Sequence, residues 1–381
     1  MTTLPPSIQH IPNLIDPLIK RGTILVYRVF DIAEEVDLRA VENTLRDASG
    51  TARMAISRGR GNAVIIRNAP VRLNLGKASF KILDTLVHAE LLATVWDYGV
   101  LSVVFQIPIA EGTLWSSLIA RGAVFNGDIP GIEELNQLAR EKARELTQIM
   151  RPALKRVNEW DVFEDYTIYF LEEVAGIDKA AQLIDQGAIP ELILGEPKER
   201  LSSKSRNGIR DVSFQYSEND LVVIDWNSAI VIEPSGQRDI ADVLEFALTH
   251  LLEFRYYDDL LDKRLTELYD SIELGKNRFF RGDFAKISHE ANSRYIEFSE
   301  FLERIDNSLK VVGDFYLAVI FRGAIRRFRI GDWQESLSGK MNLLARVSEL
   351  LQGEVNTRRA HMYELIIIVL IAFEIVSALL R

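Results

Sequence analysis

The chain has 381 residues, no cysteine, a formal net charge of −10 and 48% hydrophobic residues. The lack of cysteine excludes disulfide frameworks, thiolate metal sites, iron–sulfur clusters and thiol nucleophiles, and the net charge argues against a surface that coats polyanions throughout. The length suffices for two or three domains with a sizeable core.

Met1 to Gly22 carries prolines at Pro5, Pro6, Pro12 and Pro17 and no basic stretch followed by an apolar one, so neither a signal peptide nor an arginine-rich presequence is expected. Thr23 to Ile32 reads as a strand and Val36 to Arg46 as a helix. Ala63 to Leu75, interrupted at Asn68–Pro70, reads as two short strands or one bulged edge strand. Leu91 to Trp96 and Val100 to Ile109 flank a hairpin turn at Asp97–Tyr98–Gly99. Ile132 to Val157 reads as one charged helix with a kink or restart at Pro152. A second strand–helix pair follows at Tyr166 to Val174 and Ile177 to Asp185, and its opening segment echoes the one that starts at Tyr27. Pro197 to Asn207 reads as a loop. Val212 to Tyr216, Leu221 to Asp225 and Ala229 to Glu233 form a meander that turns at Trp226–Asn227–Ser228.

Beyond Pro234 the apolar spacing becomes helical. The longest runs are Tyr295 to Val319, Leu337 to Val369 and Leu261 to Ile272. The last run enters LIIIVLIAFEIVSALL, Leu365 to Leu380, whose one charge is Glu374. Such a segment could be a buried core helix. Being apolar all round, it suits lipid better and is read as a tail anchor. Arg358 and Arg359 precede it and Arg381 follows, which would keep the bulk of the chain on the cytoplasmic side. Glu374 near mid-membrane calls for a partner, and self-association is the natural one.

The expected architecture is therefore α+β. It comprises a head on a mixed or antiparallel sheet, with a possible duplication of βαββ units, a long helical coiled-coil-like hairpin and a C-terminal transmembrane helix. The boundaries read 1–22 for an N-terminal segment, 23–235 for the α+β domain, 236–361 for the helical domain and 362–381 for the anchor.

No catalytic constellation rises above background, and no cofactor or metal is expected. The glycines near Gly59 and Gly331 lack the spacing of nucleotide loops. His250 and Glu253 could face one metal, but a core histidine is the simpler reading. Asp225 fits a turn cap better than a catalytic acid.

Charge placement says more. Ala48 to Leu83 contains no acid but holds Arg53, Arg58, Arg60, Arg67, Arg72, Lys77 and Lys81, and Arg322, Arg326, Arg327 and Arg329 cluster downstream. Arginine's planar fork suits phosphate. The two readings are a patch for RNA, a ribonucleoprotein or anionic headgroups, and internal pairing against the acidic stretch Glu245 to Glu273.

Several segments carry a resemblance. LVVIDWNSAIVIEP, the helical DDLLDKRLTELYDSIE, DYGVLSVVFQIP and above all RRAHMYELIIIVLIAFEIV, with Arg359, Glu364 and Glu374, resemble the required-for-meiotic-nuclear-division family. That family is defined by a conserved domain of unknown function. The resemblance covers Ala89 to the end. It implies a membrane-tethered, non-enzymatic scaffold with its bulk in the cytoplasm, in a bacterial member at the inner or cytoplasmic membrane. A possible ribosome or RNA–protein partner follows from the family's mitochondrial members, which are linked to organellar translation; DNA is not an expected partner. The rival reading is a peripheral enzyme or binding protein for a phosphorylated ligand, using the arginine-rich region.

Overall fold

The computed structural model describes residues 15–45, 52–53, 68–82, 85–126, 132–158, 160–187, 189–194, 202, 204, 208–274, 293, 296, 299–300, 303 and 315–379. The chain is mixed α+β and divides into two compact units. The first is Met1–Glu253 with Asn307–Gly331, and the second is Phe254–Asp306 with Asp332–Arg381. The first part of the long helix after the sheet belongs to the first unit.

The first unit is built on one large sheet. Its strands are β1 (Leu18–Asp31), β3 (Ala52–Arg53), β4 (Val71–Ile82), β5 (Thr85–Val95), β6 (Val100–Pro108), β7 (Thr113–Leu114), β9 (Phe163–Ala175), β10 (Ser213–Phe214), β11 (Leu221–Ile224) and β12 (Ser228–Ile232). The order is β10-β11-β12-β9-β1-β6-β5-β4-β3, with β7 paired to β1. Among the described pairings only β9–β12 is parallel. β2 (Ala33–Val36) and β8 (Leu154–Val157) form a separate pair.

β1 lies mid-sheet, which explains its near-unbroken apolar run. Both of its faces are covered, and such a strand needs no polar side. On one face Ile24, Val26 and Phe30 join a core with α1 (Leu38–Thr44), α2 (Trp115–Asn126), α3 (Glu133–Ile149) and α5 (Ile189–Ile193). α4 (Gln182–Gln186) adds Leu183 to that core. On the other face Leu25, Tyr27 and Val29 are buried together with Val104 and Ile168. There α6 (Asp239–Leu274) meets the sheet, with Phe246 stacked on Trp96 at 5.1 Å and on Phe321 of α7 (Phe315–Arg327) at 5.4 Å.

The two segments that echo each other in sequence are the paired centre of this sheet, where Tyr27 lies opposite Tyr166. Their surroundings differ in polarity, since β6 runs antiparallel to β1 whereas β12 runs parallel to β9.

Three local outcomes have clear causes. The hairpin at Asp97–Gly99 forms with Gly99 at φ 94, and a Cβ there would sit 1.6 Å from the Ala33 carbonyl oxygen; only glycine fits. β4 starts directly after Pro70 and carries a bulge at Asn74–Gly76. The long helix expected over Ile132 to Val157 instead ends at Ile149. Pro152 cannot donate to a helical ladder and its ring clashes with the preceding turn. The chain passes through a short 3-10 turn, Arg151–Ala153, and then becomes β8.

In the second unit, Lys340 Nζ lies 2.7 Å from both Asp258 and Asp262. This ties α6 to α8 (Ile330–Leu379). Leu261, Leu265, Leu337, Met341 and Leu344 of the predicted apolar runs are buried. Most of the run from Tyr295 to Val312 lies outside the described residues.

Candidate functional site

The described anion-binding candidates stand on three elements, β3, β4 and α7. Arg58, Arg60, Arg67 and Arg381 lie outside the described residues, and Arg53 lies in β3 opposite Val71. Arg72 is engaged internally. Its Nη2 donates to Asp242 Oδ1 at 2.8 Å and approaches Glu245 Oε2 at 3.3 Å. Burial alone would lower Arg72, but Asp242 and Glu245 outweigh it and hold the guanidinium above its usual value. Burial raises both carboxylates, and Arg72 opposes that rise. Tyr27 sits in the same field; burial and then Glu245 and Asp242 raise its hydroxyl well above the usual range. Arg238 completes the cluster, its guanidinium 4.0 Å from the Phe170 ring. Arg72 thus forms an internal pair of the kind that was the alternative reading of the arginine-rich stretch. A cation in the covered part of the sheet must meet the acids of the helix that covers it.

Arg327 also pairs internally. Its Nε donates to Asp225 Oδ1 at 2.7 Å, with Nη2 on the same oxygen. Asp225 is 2% exposed. The Tyr166 hydroxyl donates to the backbone carbonyl of Ser228 at 2.9 Å, bracing the turn that presents Asp225. Arg322 and Arg326, one helical turn apart, are exposed on α7. His250 is a core residue, its Nδ1 2.6 Å from the Phe246 carbonyl oxygen and its ring against Phe246 and Phe321. Among the described residues no three His, Asp or Glu side chains gather as a metal site.

A pocket that sequence reasoning missed lies where β1 ends. Its volume is about 650 Å³, and it is lined by Asp31, the last turns of α3 and the segment after β8. The Asn158 Nδ2 donates to Asp31 Oδ1 at 2.6 Å. Burial drives the Asp31 carboxyl up to about 8 against hydrogen bonds from Asn158 and Ala33, and Glu34 adds to the rise. Arg140 and Arg144 face the pocket from successive turns of α3, and Arg151 comes from the 3-10 turn. One carboxylate, Asp161, stands between the first two at 3.7 and 3.6 Å. Arg140 also covers the Phe163 ring at 4.7 Å. Behind them Arg28 donates from Nε to Asn136 Oδ1 at 2.7 Å, and burial lowers its guanidinium to about 10. The signal available in the sequence was the i, i+4 pair Arg140–Arg144, hidden within a segment rich in both charges.

The third feature is the end of α8. Ala360–Ser377 is an 18-residue stretch of mean hydropathy 1.9, none of it buried within the chain, long and apolar enough to cross a membrane. Arg358 and Arg359 precede it in the helix, and Glu364 and Glu374 are exposed.

A family model described as "Uncharacterized protein MJ0711, N-terminal domain" matches residues 21–239. The chain belongs to this MJ0711 N-terminal domain family. A curated relative, Uncharacterized protein MJ0711 of Methanocaldococcus jannaschii, is 22% identical over 229 residues, which covers 60% of this chain and 70% of the relative. No solved structure matches. This overturns the resemblance to the required-for-meiotic-nuclear-division family, on which the expected translation partner rested. The resemblance leaned on Arg359, Glu364 and Glu374 in an isoleucine-rich tail, a composition that any helix suited to lipid tends to share. The MJ0711 N-terminal domain match ends at residue 239, before that tail. It spans the sheet, the pocket and Arg72, and its description assigns no activity.

Proposed function

We propose that this protein is a single-pass, membrane-tethered binding protein, a non-enzymatic scaffold whose sheet-based unit stands on the cytoplasmic side of the cytoplasmic membrane. The observation that carries this reading is the exposed apolar end of α8. Ten large apolar side chains from Leu365 to Val376 are each 45–73% exposed. Removing that remaining surface from water is worth about 1 kcal/mol or more per side chain, so about 10 kcal/mol in all. Glu364 and Glu374, near the two ends of the stretch Ala360–Ser377, each oppose insertion by at most about 3 kcal/mol. The apolar gain wins. The 18 residues extend about 27 Å as a helix, close to the roughly 30 Å hydrocarbon core. Arg358 and Arg359 before the span favour retention of the preceding chain in the cytoplasm. Pairing of Glu374 between two copies relieves its cost, which supports a homo-oligomer. Arg322 and Arg326 offer an exposed basic edge to a partner of opposite charge.

The test is alkaline extraction of membranes that carry the full chain or a truncation ending before Tyr363. The full chain is expected in the pellet and the truncation in the supernatant. A truncation that still pellets would remove the tether.

A further inference from the structure

We propose that the pocket at the end of β1 is a binding site for a small phosphorylated ligand, whose phosphate sits among Arg140, Arg144 and Arg151 and whose uncharged polar end reaches Asp31 and Asn158. This goes beyond the tether and holds whether or not the chain spans a membrane. The volume of about 650 Å³ suits a metabolite-sized molecule.

Among the described residues lining the pocket are three arginines and, beside Asp31, one carboxylate, Asp161. Asp161 is shared, lying beyond hydrogen-bond distance from both Arg140 and Arg144. The Arg140 Nε is buried and makes no hydrogen bond to any described residue. Arg144 and Arg151 are exposed at the rim, and Arg28 adds positive potential from beneath. Guanidinium groups converging from two elements match a tetrahedral dianion better than a planar carboxylate, because each fork can take a separate pair of oxygens. Burial pushes the Asp31 carboxyl up to about 8, which favours its protonated form; in that form it does not repel the anion and can donate to a hydroxyl or carbonyl of the ligand. Trp160 offers an apolar wall beside it.

The same phosphomonoester group occurs on soluble metabolites and on a lipid headgroup, so the test has two arms. The full chain is placed in phosphatidylcholine nanodiscs and titrated calorimetrically with glycerol 3-phosphate; a second set of nanodiscs contains phosphatidic acid. Saturable binding is expected, weakened about tenfold in Arg144→Gln and in Arg151→Gln, with melting of both variants unchanged. Arginine-dependent binding confined to the phosphatidic acid discs upholds the phosphate site and assigns it to a headgroup. No saturable binding in either arm, or binding that both variants retain in full, overturns the proposal.

Discussion

Replacing Arg72 with methionine keeps the side-chain length and removes the one cation that, among the described residues, pairs with both Asp242 and Glu245. The Asp242 and Glu245 side chains are 9% and 1% exposed, so the variant leaves two carboxylates buried at one site without their partner. Stranding a buried ion in this way costs about 3–5 kcal/mol. The cost must depend on pH. Burial already raises both acids, and Arg72 restrains that rise. Without Arg72 their folded values climb further, so the folded variant holds protons that its unfolded chain gives up above about pH 4. Its stability then falls as pH rises through that window. Urea unfolding of the detergent-solubilised full chain at pH 5.5 and pH 8 measures this. Arg72→Met is expected to cost about 1–2 kcal/mol at the lower pH and about 3–5 at the higher. The triple variant Arg72→Met, Asp242→Asn, Glu245→Gln should recover most of the loss, because it removes the two buried carboxylates together with their partner. A loss for Arg72→Met that is equal at both pH values, or below about 1 kcal/mol, would refute the buried-pair account.

Three further outcomes follow from the same structure. Asp31, pushed up to about 8 chiefly by burial, makes the wild type less stable as pH rises from about 4 to 8 and level beyond; Asp31→Asn should flatten that part of the melting profile and raise the midpoint at pH 9, and an unchanged slope would contradict the assignment. Gly99→Ala combines φ 94 with a Cβ 1.6 Å from the Ala33 carbonyl oxygen, so a loss of about 3 kcal/mol or more is expected in urea unfolding; a loss under about 1 would show that the hairpin shifts freely. Glu374→Leu should abolish crosslinked dimers in membranes while leaving the protein in the alkaline pellet, and dimers that persist would place self-association elsewhere.

Sequence legibility tracked the range of the forces involved. β1, the β5–β6 hairpin and the β10–β12 meander were readable because runs of β-branched and aromatic residues bounded by turn residues are local signals. The apolar end of α8 was readable for the same reason. The end of α3 was not: Glu133 to Val157 keeps a helical charge pattern up to Pro152, and the pairing of Lys155 with Glu35 that favours β8 spans 120 residues. Arg72 and Arg327 looked like ligand groups because a run of cations shows no partners in one dimension. Their partners, Asp242 and Asp225, are 170 and 102 residues away. The pocket escaped for the complementary reason. Asp31 is ordinary in sequence, and its chemistry comes from burial beside Asn158, 127 residues on.

The central claim is that α8 crosses a bilayer with the sheet-based unit on the cytoplasmic side. Because the chain contains no cysteine, single thiols report position without background. One is introduced at exposed Asn219 and another is appended after Arg381, and each variant is treated in intact cells with a membrane-impermeant maleimide. The account predicts labelling of the appended thiol before lysis and of the Asn219→Cys thiol only after it. Labelling of neither thiol until lysis, or of the Asn219→Cys thiol before it, would contradict the account.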